Sequence, residues 1–433
     1  MNWIRRLVIG QYPSAFKNFQ TRITIGVLLA LLFSSACRPK RPPKSTPQMG
    51  AEGQFWVRVL LARDANSCFF NTCSPFLVKQ GYLKTYLYGF GKPEAGTQIT
   101  ISKGTITIAG KPFSSERITI EPDEPCIFNL DGYDYRGMLE LIVRPDGLGF
   151  DAVNLVPLEP YLAGVVGAEM PDYWEPEALK AQAIAARTYC MYIKKRFGAG
   201  RNWDVRKTAA NQVYLGVAIE SPLIWQIIDE TWGEVLTCPK GREKLFPAYY
   251  SSVCGGHTED RRNVFGGGDE ADCNRAETLA GVRCPYCKDV VRPKFFFWPD
   301  VYIDKKTISQ RLIQSYPSLK RLGEIVNIVV AEQSDYEQFS RLTQIRIVGS
   351  NGKSDSLRAE DFRLAIDPSG KSLKSTVFQL KDLGDTWAFL QGRGCGHGAG
   401  MCQCGAQAMA RKGKTAKQIL SYYYPGSKIV SLY

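Results

Sequence analysis

At 433 residues, 44% hydrophobic and 12% aromatic, the chain is long enough for two or three cores and too apolar for wholesale disorder. Its formal charge of +13 invites a polyanion reading, yet positions 1–50 hold eight Lys/Arg and no acidic residue, leaving 47 basic and 42 acidic residues for the remainder. That balance carries no nucleic-acid footprint; it suits an acidic polymer or no charged partner at all.

In chain order, the first element is a leader. Between Arg22 and Cys37 the uncharged run Ile23 to Ala36 is shorter than the ~20 residues of a bilayer-spanning helix and matches a signal-peptide apolar core. It ends Ser-Ser-Ala-Cys, which resembles a bacterial lipoprotein processing site with Cys37 as the lipidated thiol. Ser34 stands where such sites carry Leu, and Arg38, Lys40, Arg41 and Lys44 follow closely, so an uncleaved signal anchor remains open. Both readings place residues 51–433 outside the inner membrane, anchored and facing the periplasm or cell wall. Setting Cys37 aside turns thirteen cysteines into an even number, and Cys68 with Cys73 is a candidate small loop closure.

Residues 38–53, rich in Pro, Lys and Gly, read as a flexible tether. From 54 to 156 the pattern has period two, with QITIS, TITIA and RITIE separated by glycine turns, and predicts a β-rich domain without catalytic residues. A body of residues 157–433 follows. There LAGVV predicts an apolar strand, and Leu179, Ala183, Ala186, Cys190, Ile193 and Phe197 recur at steps of four and three, predicting a helix that opens at Pro176. Lys180, Arg187 and Lys194 form a basic line on another face of it. A helix over Thr307 to Ser318 and strands over 320–390 come next. Gly405 to Arg411 predicts a short helix closed by Gly413, and Thr415 with Gln418 a capping box. The fold class is α+β, with a conspicuous helix after Glu169.

The chain has two histidines, His257 and His397, each in a glycine-dense segment where backbone can approach a ligand closely. Cys254-x2-His257 and Cys284-x2-Cys287 supply two chelating pairs, the spacing of a structural tetrahedral Zn2+ site, with Cys273 a substitute ligand. Disulfides among the same thiols are the alternative. Glu169 lies between LAGVV and the helix, where Val166, Met170 and Trp174 raise its pKa toward that of a general acid; a solvated loop Glu is the competing reading.

Three ordered blocks carry a resemblance: VPLEPYL-x-GVV-x-AEMP with W-x-x-EALKAQA-x-AARTY, then AYYSSVCGGHTED, then GRGCGHGAGMCQCGAQAMARKGKTAKQILSYYYPG. They resemble the stage II sporulation protein D (SpoIID)/LytB family over about Phe55 to Tyr433. The resemblance implies a peptidoglycan lytic transglycosylase acting on glycan stripped of stem peptides by an N-acetylmuramoyl-L-alanine amidase, with Glu169 as the catalytic acid/base and no organic cofactor. It implies that Gln182, Arg187, Tyr189, Ser251, His397 and Gln403 line the glycan groove, with Ser252 beside them; Arg187 is open to a second role, orienting Glu169 or depressing its pKa. Cys402 and Cys404 depart from the family's terminal block, and with Cys395 they leave a disulfide or a metal contact open. Rival readings are a non-catalytic wall-binding protein or amidase enhancer, and a true hydrolase.

Overall fold

The computed structural model describes residues 55–81, 83–87, 96–124, 126–238, 244–266 and 277–433. Cys37, Cys273, the leader and the tether lie outside these residues. Among the described residues no helix is long and apolar enough to cross a membrane.

The architecture is α+β. Strands between Trp56 and Pro157 build two antiparallel sheets, and the parallel edge strand Val205–Arg206 completes the larger. The first strand, Trp56–Ala65, pairs with the last, Phe150–Pro157, with Trp56 opposite Pro157. Period two explains the layering: in Thr105–Ile108 and Arg117–Pro122 the isoleucines Ile106, Ile108, Ile118 and Ile120 are fully buried while their threonine neighbours are not. Phe70 packs on Phe76 and Phe128 with centroids 5.1 and 5.9 Å apart. Lys103-Gly104 joins two strands with positive φ at both central residues, as a two-residue hairpin turn of the right twist demands.

At Pro157 the chain turns directly into a helix, Leu158–Glu169. The expected strand over LAGVV is therefore corrected. A short apolar run rich in valine reads alike for a buried strand and a buried helix, and here every residue of the helix except Glu169 is buried. Its glycines serve packing: a Cβ on Gly164 would lie 2.5 Å from the Tyr214 ring, and one on Gly167 2.7 Å from the Ile219 carbonyl oxygen. The helix Pro176–Phe197 follows, Pro at its first position, burying Leu179, Ala183, Ala186, Cys190 and Ile193 as expected. One hydrophobic core runs from both sheets through these two helices to the C-terminal helices, so the change of secondary structure at residue 157 is not a break in the core.

A second core belongs to residues 298–389. This unit leaves the body at Phe297–Trp298 and returns at Gly392–Arg393, two strands paired antiparallel, so it is inserted between the cysteine pair at 284 and 287 and the terminal glycine block. Its first helix spans Lys305–Ser315, capped by the Asp304 side chain, before a 3-10 turn from Pro317, and a second spans Ala359–Ile366. The chain closes with helix Gln403–Arg411, the capping box of Thr415 and Gln418, helix Ala416–Tyr423, and strand Lys428–Ser431 on Glu234–Cys238.

Candidate active site and thiol cluster

Glu169 ends its helix half-buried, its carboxylate meeting two neutral donors. The Val213 N–H donates to Oε1 at 2.8 Å, and the Gln403 amide donates to Oε2 at 3.4 Å. No cation pairs with it among the described residues. Burial therefore dominates and pushes its pKa up to about 7, against the lowering effect of these two donors. A carboxyl so placed is about half protonated at neutral pH and can both give and take a proton there.

Each donor is positioned from behind. Gln212 accepts from the Tyr161 hydroxyl (3.0 Å) and donates to the Ala186 carbonyl (3.1 Å) and the Tyr250 hydroxyl (3.0 Å), locking the segment that aims Val213. Asn211 donates to the Tyr189 hydroxyl at 3.2 Å. Gln403, first residue of its helix, also donates to Gln182 Oε1 at 3.4 Å. Gln182 Nε2 and Ser251 Oγ are buried with no partner among the described residues, which leaves both with unused hydrogen-bonding capacity. Tyr250, whose own pKa burial raises, faces Glu169 closely enough to feel its charge.

Of the residues expected at the groove, Gln403 meets Glu169 and Gln182 meets Gln403, and Ser251 sits on the strand Tyr250–Ser251 that pairs in parallel with Met401–Cys402, next to Gln403. Tyr189 is buried behind Asn211 and acts on the Val213 segment. Arg187 is a correction: it is fully buried, donating to Glu159 from Nε (2.8 Å) and Nη2 (2.6 Å), and neither lines a groove nor touches Glu169. The helical period carries it from the basic line into the interior because Glu159 waits there. Lys180 pairs with Glu177 and Glu230 and Lys194 with Asp204, both half-exposed.

His397 is also a scaffold group. The Ala399 N–H donates to Nδ1 at 3.0 Å, the ring bonds the Tyr250 backbone, and Phe265 packs on it at 5.1 Å. Burial pushes its pKa down to about 4, so it is neutral and ties the glycine block to the Tyr250 strand. Gly400 lets that block pass, since a Cβ there would sit 1.9 Å from the Tyr249 carbonyl oxygen.

His257 is the other correction. Its ring stacks on Tyr336 at 4.0 Å and Nδ1 bonds the Thr258 carbonyl at 2.7 Å, in the wall of a cavity of about 380 Å³ shared with Phe339 and Arg393. The fourth group beside Cys254, Cys284 and Cys287 is Cys402; these four buried thiols lie within 4.8 Å of one another. The Gly255-Gly256 turn, both residues at positive φ, swings His257 away. Cys68 and Cys73 are free thiols, as are Cys395 and Cys404.

Residues missed by sequence reasoning are Val213, Gln212 and Tyr250. Val213 acts through a backbone N–H, which every residue but proline carries, so no signal marked it. Tyr250 lies inside the quoted block AYYSSVCGGHTED and was legible there.

The family profile described as stage II sporulation protein (SpoIID) matches residues 147–238, the stretch containing Glu169, Gln182 and Val213. An uncharacterized protein of Brachyspira hyodysenteriae is 33% identical over 308 residues, 70% of this chain and 74% of that protein. Stage II sporulation protein D of Bacillus subtilis is 32% identical over 293 residues, 64% of this chain and 76% of the relative. The amidase enhancer of Bacillus subtilis is 27% identical over 375 residues, 78% of this chain and 50% of that protein. With the matched profile spanning the helix that presents Glu169, and three quarters of two relatives covered at about a third identity, the chain belongs to the stage II sporulation protein D family.

Proposed function

We propose that this protein cleaves peptidoglycan glycan strands as a lytic transglycosylase, with Glu169 as its acid and base. The observation that carries the reading is a half-buried carboxyl with neutral donors and, among the described residues, no cation, its pKa pushed up to about 7. Protonated Glu169 gives its proton to the oxygen linking N-acetylmuramic acid to N-acetylglucosamine, and the C1–O bond breaks. The C6 hydroxyl of the same muramic acid attacks C1, and its proton passes to the Glu169 carboxylate. The products are a 1,6-anhydro end and a new N-acetylglucosamine end, and Glu169 is again protonated.

One carboxyl suffices for this sequence, whereas direct hydrolysis calls for two, roughly 5–9.5 Å apart. The substrate is glycan bared by an amidase, the exported chain working at the wall with a membrane anchor at its leader. The relative named amidase enhancer favours a second reading, in which the same surface grips glycan and stimulates an amidase without cutting.

Mass spectrometry of products from amidase-treated peptidoglycan, with the wild type and Glu169→Gln, separates these. Anhydro-muramic ends made by the wild type and lost in the variant are expected. Reducing ends would mean hydrolysis, and co-sedimentation with the wall without cleavage would favour the enhancer.

A further inference from the structure

We propose that Cys254, Cys284, Cys287 and Cys402 form a tetrathiolate Zn2+ site that pins the start of the Gln403 helix to two loops of the body. The four sulfurs come from three distant stretches. Cys254 sits in the turn after Ser252, Cys284-Pro-Tyr-Cys287 forms a tight knuckle whose Cys284 N–H donates to the Gly256 carbonyl at 2.8 Å, and Cys402 precedes the helix. All four lie within 4.8 Å of one another, and Cys254 and Cys287 sulfurs are 3.8 Å apart. A tetrahedral zinc with Zn–S bonds of ~2.3 Å sets its ligands about 3.8 Å from one another. A disulfide needs about 2.05 Å, so two such bonds would collapse this arrangement. A multi-iron cluster needs sulfide and iron between the ligands, and the enclosed space is too small for it.

The surroundings suit four thiolates on a divalent ion, a net double negative charge. The Cys254 N–H donates to Cys402 Sγ at 3.3 Å, and the Tyr423 hydroxyl lies 3.1 Å from Cys284 Sγ. Such donors stabilise metal-bound thiolates and orient them. Arg393, tethered to the Gly255 carbonyl, lies within electrostatic reach of Cys287 and Cys254. Gly405 keeps the space open: a Cβ there would lie 2.0 Å from the Tyr423 hydroxyl and 2.7 Å from Cys284 Sγ. All ligand positions are filled by protein, so the ion is structural. Binding releases the thiol protons to solvent and consumes no oxidant.

The site reaches function through chain connectivity. Cys402 is bonded to Gln403, whose amide meets Glu169, so the metal makes Gln403 a better fixed positioning residue; this consequence alone rests on the proposed activity.

The test is metal analysis of the full-length chain, purified in mild detergent under reducing conditions, with Cys402→Ser, His257→Ala and Glu169→Gln. One zinc per wild-type chain is expected, retained by His257→Ala and Glu169→Gln and lost from Cys402→Ser. Cobalt exchanged into the wild type gives thiolate charge-transfer bands and intense visible bands of a four-sulfur tetrahedral ion, which keeps the test independent of whether Cys402→Ser folds. Chelation is expected to lower the unfolding temperature and reduce kcat with KM little changed. Iron in place of zinc, zinc lost from His257→Ala but kept by Cys402→Ser, or a mass showing two disulfides among these thiols would overturn the site. Zinc bound as expected with no glycan cleavage would leave the site standing and sink only the transglycosylase.

Discussion

The helix Leu158–Glu169 carries a glutamate near each end, and the two have opposite surroundings. Glu159, in the first turn, is 2% exposed and receives two hydrogen bonds from Arg187, one from the Tyr433 hydroxyl and one from the Gly233 N–H. Glu169, in the last turn, meets a backbone N–H and an amide. Burial with a cation makes a carboxylate a structural cross-link; burial without one makes it a proton donor near neutrality. Arg187 of the following helix pairs with Glu159; a guanidinium beside Glu169 would instead hold that carboxyl ionised and unable to give up a proton.

The largest expected effect comes from removing the unpaired partner of this contrast. Glu169→Gln keeps the shape and one acceptor oxygen but not the acid, and should cut anhydro-product formation by about 10³-fold, within the range of general acid–base contributions. Arg187→Met tests the other end. It strands Glu159 in the interior and should cost about 3–5 kcal/mol in denaturant unfolding, whereas pairing it with Glu159→Leu should recover most of that loss. Failure of the second change to rescue would mean that Glu159 contributes mainly through Tyr433 and Gly233.

The pH dependence sharpens the comparison. In the proposed mechanism Glu169 acts in its protonated form, so kcat/KM should be level below its pKa of about 7 and fall about tenfold per pH unit above it. A rate flat from pH 6 to 9 would contradict the acid role. The smallest effect is on stability. A carboxyl whose folded pKa is raised favours the folded state while protonated, and this is lost as pH rises through the folded value of about 7. Glu169→Gln escapes that loss and should be more stable than wild type at pH 8 by about 1–2 kcal/mol, with the difference vanishing below pH 4.

How far the residues reveal the site depends on how local its causes are. The capping box of Thr415 and Gln418 and the long helix opening at Pro176 form as their spacing predicts, because the bonds involved span three or four residues. Glu169 was legible only through the block that surrounds it, since its physical setting is made by Val213 and Gln403, 44 and 234 positions away. Arg187 misleads because a charged residue at regular helical spacing reads as surface until Glu159 is seen to meet it. His257 misleads because Cys-x2-His is a chelating spacing, while the ring's direction is set by a two-glycine turn and by Tyr336 from the inserted unit.

By itself the sequence determined the strand and helix periods of most elements, the turns that glycine permits, and the residue types able to carry acid chemistry and bind a soft metal. These follow from covalent geometry and from polarity within a few residues. Tertiary structure alone decided that Leu158–Glu169 is a helix, that Glu159 takes the arginine and Glu169 none, and that Cys402 joins the three thiols. Each of those outcomes depends on which distant groups exclude water from a side chain and which of them bring a partner, and that is set when the chain packs.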